Sequence, residues 1–514
     1  MTTALVIAAV AIACLATVLL GLHGPPGTRT TSDFFVASRT VSPRRNAAAI
    51  GGEYLSAASF LGVAAMLWAN GADMLWLPVG YTVGFVMLLV LVAAPMRRSG
   101  AYTLADFAES RLESRRVRAL CSVLVVAVGW MYLVPQMQGA GLVLRTMTGA
   151  PPLVGGALVA AVVATVVGAG GMRSVTSVQA TQFWVKYIAL AVPALVLLGW
   201  WLLHDGARPS PMPPDRLREW ATPLAGFGGR EHSLYWTYST MLALSLGTMG
   251  LPHVVVRYYT NRDGRAARRT TVLVVVLLAT FYVLVPTYGV LGRIYLQELP
   301  AGAAPDTMML HLPAAVVGAG AATGADLLTA TITLGAFIAF LSTSSGLVMS
   351  VAGVLDQDTV PRIVPRARRQ RLAVAGRFRV GVALAVLVPL VAAQLFHGVS
   401  IATQVGLAFS VTASTFAPLL VLGCWWPRLS TTGALAGLAV GALTSGAAAA
   451  WTVLGPTLTG WPGVLLSQPA LWSAPLAAAT MIVASLASPG SVPRDTARTM
   501  VRLHTPEELL VNPS

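Results

Sequence analysis

The feature that most restricts this chain is a repeated one. Apolar runs of about twenty residues recur along the whole sequence, and each, wound as a helix, is long enough to cross a hydrocarbon core ~30 Å thick. Thirteen such spans are predicted, near 4–22, 46–70, 75–95, 117–145, 152–171, 177–203, 233–254, 271–292, 324–354, 378–396, 400–424, 433–455 and 470–487. They are numbered 1–13 in that order. Lipid offers no partner to a backbone N–H or C=O, so spans of this kind must be helices. Charged residues make up only 10% of the chain, against ~25% in a soluble domain. The predicted fold class is an all-α polytopic membrane protein.

The basic residues then set an orientation. Lys186 is the single lysine, and 27 of the 33 arginines fall in one set of alternate loops. That bias predicts an N-terminus outside and a C-terminus in the cytoplasm of a bacterial-type plasma (inner) membrane. It accounts for the net charge of +15 as a topology signal, so no nucleic-acid partner is expected; the apolar spans imply lipid contact. No Lys or Arg precedes Arg29, so residues 4–22 read as a spanning helix rather than a secretory signal. Cys14, Cys121 and Cys424 lie in or beside apolar runs without metal-ligand spacing. The tail after residue 488 is expected to be short, polar and cytoplasmic. No metal triad, nucleophile–base pairing or phosphate loop points to an enzyme.

Two spans are interrupted. Span 2 reads AAAIGGEYLSAASFLGVAAM and carries Glu53 among Gly51, Gly52, Ser56 and Ser59. Span 7 reads MLALSLGTMGLPHVVVR, and its Pro252 removes a backbone donor and crowds the preceding turn. They open two blocks of five spans, 2–6 and 7–11. Five is odd, so the second block enters the membrane upside down, as an inverted repeat. Paired broken helices of this sort mark a transporter binding site. Freed carbonyls suit a hard cation, and freed amides at a half-helix start suit a carboxylate. Span 9 adds four consecutive hydroxyls, Ser342, Thr343, Ser344 and Ser345. That exceeds what local helix bonding requires, and neutral oxygens are what a dehydrating cation needs.

These residues carry a resemblance. SDFFVASRTVSP (32–43), GGEYLSAASFLG (51–62), YTLADFAESRL (102–112), GGMRSVTSVQATQ (170–182), GTMGLPHVVVRYYTNRDGRAARRTT (247–271) and FLSTSSGLVMSVAGVLDQD (340–358) resemble sodium:solute symporters, most of all their cation/acetate and monocarboxylate members. The resemblance implies a 5+5 inverted repeat with broken first and sixth core helices. It places a core over residues 31–430, an extra N-terminal span over 1–30, two further spans over 431–487 and a tail over 488–514. It implies a sodium site on Gly52, Leu55, Ala339, Ser342 and Thr343, with Na+ as the co-transported ion and no organic cofactor. Of a second site it leaves Ser345, with Gly346 and Gln179 where a serine and an aspartate stand in some relatives, so at most one cation per cycle is expected. For substrate it implies Ser56, Ser59, Ser245, Thr248 and Met249, and small side chains there suit a short monocarboxylate. Glu53, Gln179, Ser345 and Pro252 are the expected coupling or gating positions.

Lys186 lies ~12–15 Å into span 6 by helix rise, near mid-membrane. Three roles are open: pairing with a fixed carboxylate, Glu53 being the natural partner; attracting the substrate carboxylate; or standing beside the cation site as a proton-linked charge. His253 reads as structural, His311 and His397 as loop or interface residues, and Asp106 with the arginines of 257–269 as solvated loop or gate contacts. The expectation is a symporter taking up acetate, propionate or pyruvate, as a monomer or weak oligomer. The alternatives are a proton-coupled carboxylate transporter using Lys186 or Glu53, a symporter of another small solute such as proline, and, in a different class, a channel or transport-derived sensor.

Overall fold

The structure, a computed structural model, describes residues 2–23, 36–204, 213–318, 321–359, 374–395 and 399–507. Arg29, Arg208, the arginines from 362 to 371, His397 and the start of the 32–43 motif lie outside the described residues. The described secondary structure is helical throughout.

Ten helices are long and apolar enough to cross a membrane, and two bent pairs raise the number to twelve. The thirteenth predicted span is found by dividing one helix. Pro152–Leu203 runs for 52 residues, ~78 Å at 1.5 Å per residue, far more than a bilayer needs. It is kinked at Gly171, where φ is 58°. Spans 5 and 6 are therefore its two arms, and the linker expected between 171 and 177 is mostly helical.

Span 2 is the first bent pair, Pro43–Tyr54 and Ala58–Asn70, meeting at 70°. Span 7 is the second, Ser233–Gly250 and Pro252–Tyr258, meeting at 45°. Both breaks fall where glycine, serine and proline weaken the helix in sequence. Span 9 (Ala322–Val354) and span 11 (Ile401–Trp425) lie at the centre: their most apolar windows are 94% and 83% buried, whereas the windows of the other eight helices are 33–56% buried. The outer spans expose apolar side chains such as Leu203, Val283 and Leu443, which suits a lipid-facing surface.

Small residues set the depth of packing around span 2. A Cβ on Gly52 would stand 2.2 Å from the backbone oxygen of Gln179, so only glycine lets spans 2 and 6 approach this closely. That approach places Lys186 against the break in span 2.

Candidate functional site

The break in span 2 frees backbone oxygens. In an unbroken helix the Ser56 amide would bond Gly52 O; here it turns to Tyr54 O at 2.8 Å. A π-helical turn over Ala58–Gly62 follows. Into this gap comes Lys186. Its Nζ donates to Gly52 O at 2.6 Å, to Leu55 O at 2.6 Å and to Ser342 Oγ at 3.0 Å. The side chain is wholly buried. An ammonium has three donors and no acceptor, so all three are used.

The other oxygens of the expected cation set are also engaged. Ser342 Oγ donates to Ala339 O at 3.2 Å, and Thr343 Oγ1 donates to Glu53 O at 2.7 Å. The structure thus gathers Gly52, Leu55, Ala339, Ser342 and Thr343 in one place, with an amine among them.

Glu53 does not serve as the ion-pair partner foreseen for Lys186. Its Oε2 accepts from Arg257 Nε at 2.6 Å. Both side chains are about 1% exposed, so the reading of Arg257 as a solvated loop residue is corrected. Arg262, Arg265, Arg268 and Arg269 are exposed, as that reading expects. Arg257 also donates through Nη1 to Thr176 Oγ1 at 2.7 Å and through Nη2 to Gln179 Oε1. Gln179 Nε2 in turn donates to Ser342 O at 2.8 Å. Glu53 Oε1 lies against Gly346, where a Cβ would come within 2.0 Å of it. Ser345 Oγ bonds its own helix at Leu341 O, 2.7 Å away. Where some relatives have a second sodium site, this chain therefore has a guanidinium–carboxylate pair.

The positions expected to meet substrate lie on the other side of span 2. Thr248 Oγ1 donates to Leu244 O at 2.7 Å and shares a 2.6 Å bond with the Tyr54 hydroxyl. Ser59 Oγ shares a 2.9 Å bond with the Tyr282 hydroxyl, whereas Ser56 lies by Tyr132. The break thus separates two serines that a regular helix would put on one face. Ser245 approaches Gly80 O at 3.4 Å, and Met249 is buried. Lys186, also proposed for substrate from the sequence, is not among them: its donors are spent on the oxygens above.

Aromatic residues complete the region, and the sequence alone did not single them out. Tyr81 and Tyr282 stack at 5.7 Å, and Tyr54, Tyr81 and Tyr132 each meet Phe409 edge-on. Their one sequence signal is an aromatic in a predicted span, which lipid-facing helices also carry. Pro252 starts the second half of span 7 after the non-helical Leu251. His253 is buried edge-on against Tyr132 at 5.5 Å. Asp106 caps the helix Leu104–Leu112 and pairs with Arg118 at 2.7 Å, and His311 sits in the short helix Met308–Val317.

Comparisons with known proteins agree with this architecture. The chain is 30% identical over 505 residues to the uncharacterized symporter YwcA of Bacillus subtilis (strain 168), covering 95% of this chain and 96% of that protein. Among solved structures it is similar in fold to a Na+-coupled sialic acid symporter in a substrate-bound, outward-open state. That match has a TM-score of 0.71 at 14% identity, covering 95% and 98% of the two chains. It is also similar to Mhp1, a nucleobase-cation-symport-1 family transporter, in a closed conformation, with a TM-score of 0.56 at 14% identity, covering 92% and 99%. The expected 5+5 inverted repeat is the architecture of these neighbours. The family model of the sodium:solute symporters matches residues 34–441. With most of its length matched, and with two broken helices facing across a buried polar centre, the chain belongs to the sodium:solute symporter family of membrane transporters.

Proposed function

We propose that this protein is a secondary active symporter that takes up a small monocarboxylate, of the acetate, propionate or pyruvate type, by alternating access coupled to one cation. The observation that carries this reading is the region between the two breaks. Ser59, Ser245 and Thr248 bring small hydroxyls beside the phenols of Tyr54, Tyr81 and Tyr282. Hydroxyl and phenol donors can bind a carboxylate, and aromatic faces can hold a short alkyl chain. Ser59, Ser245 and Thr248 are buried there, and their small side chains suit a short solute.

Coupling requires that the cation bind one conformation better than the other. The oxygens of Gly52, Leu55, Ala339, Ser342 and Thr343 join span 2 to span 9, so a charge held there favours one arrangement of those two spans. Sodium is the ion suggested by the family's name and by the description of the sialic acid symporter. In this chain Lys186 already bonds three of those oxygens. The arginine bias supports an N-terminus outside and a cytoplasmic tail in a bacterial-type plasma membrane. Residues 31–430 would form the transport core, with one extra span before it and two after.

Counterflow into proteoliposomes tests the substrate. Vesicles loaded with unlabelled pyruvate should take up labelled acetate, propionate and pyruvate, and leave labelled proline outside. Exchange of proline alone, or no exchange of any of the carboxylates, would overturn the monocarboxylate reading.

A further inference from the structure

Three N–H donors of one ammonium meet three acceptors, two backbone carbonyls of the broken span 2 and one hydroxyl of span 9. These are the oxygens that the family resemblance reserves for sodium. The two carbonyl contacts, at 2.6 Å, are short, as expected for charge-assisted bonds, and no donor on Nζ is left over. The neighbouring position is filled in the same way, by the guanidinium of Arg257 on Glu53, Thr176 and Gln179.

We propose that the Lys186 ammonium is the resident cation of this junction: it occupies the position that the family resemblance reserves for sodium, so this chain holds no sodium there. The proposal rests on the symporter reading above and concerns the cation position of that same site.

The geometry explains what a tethered cation does here. Nζ ties span 6 to both sides of the break in span 2 and to span 9, the two elements that a sodium ion would otherwise join. A charge inside a membrane helix generally marks a functional position.

Among the described residues the charged groups around Lys186 are few. Span 2 brings Glu53 and the second half of span 7 brings Arg257, already paired to each other. Span 4 brings the phenol of Tyr132. Span 8 brings Tyr282, bonded to Ser59, and Tyr288, whose hydroxyl donates to Leu190 O at 2.6 Å. Span 1 has no charged residue within Thr2–Leu22. Asp326 in span 9, Arg377 and Arg379 in span 10 and His311 in the short helix Met308–Val317 stand toward the ends of their elements. Asp326 is sixteen residues from Ser342, ~24 Å along the helix.

Two measurements decide the proposal. The first needs no substrate: binding of 22Na+ to the purified full-length protein near neutral pH. Wild type should show no saturable 22Na+ binding. Lys186→Ala, checked for monodispersity by size exclusion, should acquire it, because the oxygens are released. Saturable binding to wild type would overturn the proposal whatever the variant does, and a monodisperse variant that binds no 22Na+ would count against substitution for sodium. The second is counterflow by wild type in sodium-free proteoliposomes, with protein-free vesicles as the baseline. Exchange of labelled pyruvate should proceed without sodium and gain nothing from its addition; exchange that requires sodium would overturn the proposal. If counterflow is absent for every carboxylate, the substrate reading fails, while 22Na+ binding still decides whether Lys186 holds the cation position.

Discussion

The two broken spans answer their freed backbone in different ways. In span 2 the break is wide, 70°, and charged groups close it: Lys186 on two carbonyls, and Glu53 beside it on Arg257. In span 7 the break is 45° and confined to Leu251 before Pro252. The groups that meet this backbone are neutral: the Thr412 hydroxyl donates to Gly247 O at 3.2 Å and the Leu251 amide to Thr248 O at 3.5 Å, while Tyr54 reaches across to the Thr248 hydroxyl. The ionic break suits a coupling element whose strength depends on a charge. The neutral break suits a substrate wall. Each substitution below asks whether that division holds.

The largest effect is expected at the ion pair. Glu53→Ala leaves a guanidinium buried without its carboxylate, which costs about 3–5 kcal/mol, and should appear as a large loss of thermal stability and yield in detergent. Replacing both partners by apolar residues, Glu53→Leu with Arg257→Met, should recover much of the stability because no lone charge remains. Recovery of transport along with stability would show that the ionic break is only structural.

Two buried carboxylates sharpen the same contrast. Glu53 has a guanidinium. Asp306, outside the spanning helices and 4% exposed, accepts the Ile401 amide at 3.1 Å and has no ion-pair partner among the described residues. Burial pushes its carboxyl up to about 6, partly offset by that amide. A raised carboxyl pKa contributes stability that is present below the usual carboxylate range and lost as pH rises through about 6. Asp306→Asn should therefore gain on wild type above pH 6, by up to about 3 kcal/mol, and show no advantage at pH 4. Melting curves across that range check it; a constant difference would mean that Asp306 does not titrate there.

Gly52→Ala tests the close approach of spans 2 and 6. Its Cβ would meet the Gln179 oxygen, forcing the helices apart at a cost of about 1–3 kcal/mol. Uptake should fall more than stability, since Lys186 loses its fit to the carbonyls. Equal losses would argue that this junction only packs.

The smallest effect belongs to the neutral break. Thr248→Val removes the Tyr54–Thr248 bond for about 1 kcal/mol of stability. It should raise the KM for the carboxylate several-fold and leave the protein without saturable 22Na+ binding, as in wild type. Sodium binding by this variant instead would join the two breaks into one coupled unit.

The residues themselves show why parts of this were legible early. Hydropathy exposed the spans, because lipid forces each one to be long and apolar. Gly51, Gly52 and Pro252 marked the breaks, because glycine and proline act on the local backbone. The division at Gly171 was also visible, although the helix there continues through most of the expected linker. Arg257 was misread because its sequence neighbours, Arg262 to Arg269, are solvated, and nothing local distinguishes it. Tyr81, Tyr282 and Phe409 were missed because an aromatic in a span has no preferred side until its neighbours are known.

The sequence by itself determined a helical membrane protein with two broken spans in inverted blocks, and a lysine at mid-membrane depth. Those follow from hydropathy, backbone chemistry and helix rise, all of which act along the chain. Only the tertiary structure decided that Lys186 meets Gly52, Leu55 and Ser342 while Glu53 meets Arg257. Lys186 and Gly52 are separated by 134 residues, and Arg257 and Glu53 by 204. Helix rise fixes how deep a side chain lies, but its partner depends on how the helices are rotated and how closely they approach, and that is set by packing among spans far apart in sequence.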